Sequence, residues 1–441
     1  MRDVLVVAIV VLAALAALRR PWVGVMLWVW LSLMNPHRYT YGFAYDAPLA
    51  LLAAAVTLTG MLFTPQKESP LKGAPVAFFL AFSLWITLSW LHGLSPGDDL
   101  LQWEKVMKIN LMIFIALALL HTKQHIFALA WVSALSLAIL GAKGGVFTLI
   151  SGGGYRVWGP PGSFIEDNNE FALALVMTIP LLRFLQMQLA AVWARSFMTL
   201  MMLLCGIASL GSHSRGGLLA IVAMTLLLWW RGKSKFAGGA VLLVVAVAMV
   251  AFMPESWTDR MGTIENYDED RSALGRFSAW WVSWRLAFDY PLGVGFNIAR
   301  PELFAQYSPY PDLGTPVAHS IYFQVLGHHG FVGLFIFLMI WLTTWWSCAK
   351  LRKEAQQIPQ ARWCVDLAGM CQVSLVGYLV GGTFLSLSYF DLPYYVLVLA
   401  VLARMWVRRK GWESELPLGT GWVIPGLATK PAAAKPAAAA R

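Results

Sequence analysis

The chain has 441 residues, of which 59% are hydrophobic and only 13% charged, with a formal net charge of +10. A soluble protein carries roughly a quarter charged residues, so this composition excludes an ordinary soluble enzyme, and length here counts membrane crossings. The basic residues lie in short segments between apolar blocks rather than in an aromatic-interleaved basic module, which excludes nucleic acid as a partner.

Met1-Arg2-Asp3 precedes an apolar run that ends at Arg19-Arg20-Pro21 with no small-residue cleavage site, so this run reads as a retained helix, not a signal peptide. Apolar segments follow at about 4–18, 21–34, 47–63, 75–91, 106–120, 125–142, 170–188, 196–212, 215–230, 236–253, 320–346, 363–385 and 391–407. Some are short, so the predicted fold class is an all-α polytopic membrane protein, a bundle of about 12 (12–13) transmembrane helices. Long continuous apolar runs exclude a β-barrel. The predicted divisions are N-terminal helices at 1–253, a large loop at 254–318, C-terminal helices at 319–410 and a disordered cytoplasmic tail at 411–441.

One set of alternate loops carries Arg19, Arg20, Lys67, Lys72, Lys123, Arg183, Arg195, Arg231, Lys233, Lys235, Lys350, Arg352, Lys353, Arg362, Arg404, Arg408, Arg409 and Lys410. The short loops of the other set carry only Arg38, Lys105, Lys108, Lys143, Arg156 and Arg215. That bias faces the first set, and the C-terminus, to the cytoplasm. Thirteen spans would put the N-terminus outside, twelve inside. The large loop is then non-cytoplasmic, and its stretch Arg276–Phe288 reads as an amphipathic helix at the membrane surface. Cys205, Cys348, Cys364 and Cys371 lie in or beside apolar segments. Cys364 and Cys371 share a helical face but stand about 10 Å apart along it, too far for a disulfide.

Three polar clusters fall on the non-cytoplasmic face. Ser212-His213-Ser214-Arg215-Gly216-Gly217 sits at a sharp turn, with Arg215 near the next helix start, where free N–H groups and a guanidinium suit an anion or a lipid headgroup. Lys143 and Arg156 flank a Gly-rich stretch and could bind an anion; Glu166, Asp167, Asn168, Asn169 and Glu170 could cap the next helix or bind sugar hydroxyls. No GK[ST] follows, so this is not a nucleotide-binding loop. The third cluster comprises Gly275-Arg276, PLGVGF at 291–296, AHSIYFQ at 318–324 and Gly327-His328-His329-Gly330. His319, at the loop-to-membrane junction, could accept a proton from an attacking hydroxyl or simply sit at the interface. As neighbours on a helix, His328 and His329 point to different faces. No HExxH, zinc-type Cys/His spacing or GxSxG elbow occurs, so neither a metal nor a cofactor is expected.

SHSRGG at 212–217, GR at 275–276, PLGVGF at 291–296 and the AHS-x-Y-x-Q run at 318–324 resemble the O-antigen ligase and polymerase superfamily. LRRPWVGVMLWVWLSLMNPHR at 18–38 and GPPGSFIEDNNEFAL at 159–173 resemble its exosortase-associated subgroup. The resemblance covers roughly residues 18–405 and implies a bacterial inner-membrane bundle with a large periplasmic loop and a periplasmic active site. It implies an undecaprenyl-diphosphate-linked glycan donor, a lipid A–core acceptor and inverting, metal-independent transfer. It also implies His319 as the essential histidine and Arg215 and Arg276 as diphosphate ligands; Arg156 and Lys143, from their charge alone, are second choices for the diphosphate. Asn168, Asn169 and Ser320 are candidate sugar or acceptor contacts; Ser320 stands where the family often has Asn, and His329 where an acidic residue is common. Glycan polymerisation or protein O-glycosylation is the alternative within the superfamily, and transport of the lipid-linked glycan the alternative of another class.

Overall fold

The computed structural model describes residues 1–65, 67–232 and 271–415, with isolated positions between 236 and 257. The expected span at 236–253, the beginning of the large loop and the tail from 416 therefore lie outside the described residues, isolated positions aside. What is described is all-helical. The helices are α1 (Arg2–Arg19), α2 (Pro21–Met34), α3 (Leu49–Phe63), α4 (Ala74–Leu91), α5 (Pro96–Leu119), α6 (Lys123–Ile150) and α7 (Asn168–Gln188). They continue as α8 (Val192–Gly211), α9 (Arg215–Arg231), α10 (Arg271–Asp289), α11 (Pro301–Tyr307), α12 (Ile321–Ala355), α13 (Arg362–Gly381) and α14 (Asp391–Arg408). Six segments, at 74–91, 123–150, 168–188, 192–211, 321–355 and 359–384, are long and apolar enough to cross a membrane, and two shorter apolar helices lie at 21–34 and 49–63.

Local chemistry sets the boundaries. Proline at the first helical position starts α2, α5 and α11, where its missing N–H costs nothing. Thr122, Asp167, Ser214 and Ser320 cap α6, α7, α9 and α12 through their side chains. Many large apolar side chains point outward, among them Leu12, Leu15, Leu62 and Phe63, each more than half exposed. A soluble monomer avoids such a surface, whereas a lipid-embedded one requires it. Inside, α7 packs on α6, α8 and α13, while α12 packs on α4, α13 and α14.

Several boundaries differ from expectation: α5 starts at Pro96 rather than at about 106, and α12 runs to Ala355 rather than to about 346. The Gly-rich stretch from 141 does not end α6, which runs on to Ile150 because its glycines let it close on α8: a Cβ on Gly145 would strike the Leu204 backbone. The tail does not leave the bundle at 411. Gly411–Ser414 forms a helical turn, and the Glu415 carboxylate accepts from Lys123 N at 2.9 Å and from Trp406 Nε1 at 2.9 Å. All four cysteines are free and buried.

α10 matches the expected amphipathic helix and extends it by about a turn at its N-terminal end. Ala279, Val282 and Leu286 on its inner side join Val294, Ile298, Leu303, Phe304 and Ala318 in a small core separate from that of the bundle.

The segment 291–296 enters a break in α12. Gly330 there has φ 68°, ψ −173°, which interrupts the helix. The His328 carbonyl consequently accepts from Val294 N (2.9 Å), Gly295 N (3.2 Å) and Ser89 Oγ (3.0 Å), and the His329 carbonyl from Trp85 Nε1 (2.8 Å). Phe296 N donates to Asp99 Oδ2 at 2.8 Å, and Leu94 N to the Val294 carbonyl at 3.0 Å. The expectation that His328 and His329 face apart is corrected: both rings reach the Tyr389 hydroxyl, at 3.0 Å and 2.7 Å, and His329 Nδ1 also meets Ser89 Oγ at 2.9 Å.

Candidate functional site

The turns between helices gather at one end of the bundle. Val157 N donates to the Gly211 carbonyl (3.1 Å), Asn168 Nδ2 to the Ser212 carbonyl (2.6 Å), and His213 Nε2 lies 2.8 Å from the Gly153 carbonyl. These bonds tie the 151–167 loop to the SHSRGG turn. Arg215 opens α9, whose first turn rests on the turn after α13: a Cβ on Gly216 would sit 3.4 Å from Phe384 Cβ. Phe384 in turn lies 6.3 Å, ring to ring, from Trp280, which stacks on Phe323 at 4.9 Å. Trp280 Nε1 donates to the Ala318 carbonyl at 2.7 Å, fixing the residue before His319 to α10.

His319 has a left-handed backbone, φ 43°, a conformation that costs a non-glycine residue free energy and therefore needs its surroundings to hold it. Its Nδ1 is buried and meets no hydrogen-bond partner among the described residues. Burial pushes the imidazole pKa down, the Arg276 charge pushes it further, and Asp167 opposes both. Asp167 caps α7, its Oδ1 accepting from Asn169 N and Nδ2, both at 2.8 Å. Burial works to raise its pKa. Hydrogen bonds from Glu170 and Asn169 and the charge of His319 outweigh this, so the carboxyl lies below its usual value. The structure thus sets a neutral imidazole with an open nitrogen between a guanidinium and a carboxylate. Such a group can take a proton while its neighbours handle charge of either sign.

The other sequence-derived candidates are placed differently. Lys143 lies within α6 rather than in a loop, its Nζ 4.6 Å from the Tyr39 ring centroid. Arg156 is exposed on the 151–167 loop. Asn168 is 2% exposed and braces the SHSRGG turn, the Asn169 amide is held by Asp167, and Ser320 is fully buried as the cap of α12. Sequence reasoning gave Asp167 a capping role, which it has, but not its place beside His319, and gave Trp280 no individual role. The one available signal for Asp167 was its position in a run of five polar residues.

Residues 200–338 match the family model described as O-Antigen ligase. The chain carries a domain of the O-antigen ligase family. His319, Arg276 and Arg215 all fall inside the match; the family implies a glycosyltransferase-like activity, and six apolar helices among the described residues are long enough to cross a membrane. Residues 1–190, which contribute Asp167 and Glu170, match a second model described as a family of unknown function, DUF5935. No curated protein matches the chain.

Proposed function

We propose that this O-antigen ligase family protein transfers a glycan from undecaprenyl diphosphate to lipid A–core oligosaccharide on the periplasmic face of the bacterial inner membrane. The observation that carries this reading is His319, kept neutral with Nδ1 unoccupied between Arg276 and Asp167. Cleaving the sugar–diphosphate bond builds negative charge on the leaving group, which Arg276 and Arg215 would stabilise. His319 would take the proton of the attacking acceptor hydroxyl. Lys143 and Arg156 remain secondary: one is engaged on Tyr39, the other lies out on the loop.

Topology supports the same reading. Asp3 Oδ1 accepts from Gly42 N and Ala44 N, and Arg38 of that same loop lies beside Gly162, so the N-terminus shares the end of the bundle that carries His319. At the opposite end, Arg409 pairs with Glu68 and Arg404 with Glu354. This arrangement favours thirteen spans over twelve.

The test is to incubate the purified protein in detergent with undecaprenyl-diphosphate glycan and lipid A–core in the presence of EDTA. Ligation appears as a shifted lipopolysaccharide band, is unaffected by EDTA and disappears in monodisperse His319→Ala. Full activity in that variant overturns the assignment. Lengthening of the donor glycan would instead mean polymerisation, and transfer to added protein would mean protein O-glycosylation. An intact donor under all conditions would leave transport.

A further inference from the structure

Asp167, which interacts with His319, also lines a cleft of about 410 Å³ together with Trp158, Phe164, Glu166, Glu170 and Ser386. Three carboxyl groups make it unsuitable for a diphosphate, and each of the three has a partner. Glu166 Oε2 accepts from Gly162 N at 2.8 Å, and Asp167 Oδ1 from Asn169. Glu170 bonds to Asp167 and to the Ser386 backbone, but the residue is only 7% exposed and its second oxygen, Oε2, has no hydrogen-bond partner among the described residues. Ser386 Oγ, on the facing turn, is likewise buried and unpartnered. Leaving such atoms unmet costs about 1–3 kcal/mol each, so a ligand that satisfies both is favoured. The other wall is aromatic, with the Trp158 indole 54% exposed to the opening.

A sugar ring fits this combination. Its hydroxyls both donate and accept, which suits one carboxyl and one serine hydroxyl together, and its C–H face packs on an indole. Building on the glycosyl-transfer reading, we propose that the Trp158–Glu170–Ser386 cleft is the acceptor-saccharide subsite, an aromatic-walled pocket of carboxyl and hydroxyl groups distinct from the arginines that would face the donor diphosphate. Asp167 joins the two regions, because it lines the cleft and interacts with the His319 charge. In the transfer, the acceptor hydroxyl oxygen bonds to the anomeric carbon as the bond from that carbon to diphosphate breaks. The hydroxyl proton goes to His319 Nδ1, and the electron pair leaves on the diphosphate. Glu170 and Ser386 hold neighbouring hydroxyls and set which acceptor sugar is presented.

The experiment measures binding, so it stands apart from turnover. Saturation-transfer NMR on the purified full chain in detergent uses delipidated core oligosaccharide as one probe and inorganic pyrophosphate, read by phosphorus NMR, as the other. The oligosaccharide binds the unmodified protein. Trp158→Ala and Glu170→Ala each weaken it about tenfold, the loss of one hydrogen bond or ring contact, and leave pyrophosphate binding unchanged. Trp158→Ala touches an exposed side chain, so its effect is independent of any folding defect in Glu170→Ala. The subsite is overturned if the unmodified protein gives no oligosaccharide signal, if that signal persists in Trp158→Ala, or if it requires added Mg²⁺ or Ca²⁺. Pyrophosphate binding that survives Arg276→Ala would instead count against the donor reading, which distinguishes the two failures.

Discussion

Replacing Gly293 by alanine probes the joint between the large loop and the bundle. The residue has φ 88°, and an added Cβ would lie 2.5 Å from His329 Cα and 2.6 Å from Ser89 Oγ, in addition to striking the His328 carbonyl. Two of these three neighbours are backbone of a packed helix, so the loop must move rather than its surroundings. A left-handed alanine costs about 1–2 kcal/mol. Withdrawing the loop also sacrifices the bonds from Val294 N and Gly295 N to the His328 carbonyl, about 1 kcal/mol each. The total is about 3–4 kcal/mol, at the upper end for a single substitution. Thermal unfolding of the purified protein, scanned at one fixed rate because such proteins often unfold irreversibly, should show a fall of about 5 °C or more. Gly97→Ala supplies the comparator: it lies in the first turn of α5 with nothing within 4 Å of the added Cβ, and should be neutral or slightly stabilising. A Gly293→Ala melting point within about 1 °C of the unmodified protein would refute the reasoning.

The pH profile tests the electrostatics of His319. Only the neutral imidazole accepts a proton, so the acid limb of the rate should lie below the usual histidine value of 6.5. Arg276→Gln should move that limb up and Asp167→Asn should move it down; shifts of the same sign in both would contradict the arrangement. Folded His319 also binds fewer protons than the unfolded chain between its lowered pKa and 6.5, so stability should rise with pH across that window and level off above it. Melting points of the unmodified protein and His319→Ala against pH would show whether that rise belongs to His319. Tyr389→Phe removes the hydroxyl shared by His328 and His329 while His329 keeps Ser89, and should cost about 2–4 kcal/mol in the same melting assay. An unchanged melting point would mean that the two rings do not depend on it.

The helices were legible because each is an apolar block bounded by proline, a capping residue or a basic pair, and such signals are local. Asp167 as a cap, and α10 as an amphipathic helix, follow from a few adjacent residues. The end of α6 was not legible, because a glycine that permits close packing on Leu204 looks the same in sequence as one that ends a helix. Nor was the meeting of His328 and His329 at Tyr389, which depends on the break at Gly330 beside a segment that lies about 40 residues earlier in the chain. In the site, His319 and the arginines stood out through their motifs. The place of Asp167 beside His319 did not, since about 150 residues of sequence separate the two and no short pattern encodes their meeting.

The break in α12 also bears on how the protein is placed in the membrane. From Phe331 to Ala349, before the charged run that starts at Lys350, the helix supplies about 28 Å, close to the roughly 30 Å of a hydrocarbon core. The stretch from Ile321 to His329 therefore adds little to the crossing. Its polar residues Gln324, His328 and His329 do not weigh against the partitioning of that crossing, and substitutions there can alter chemistry without dislodging the chain from the bilayer.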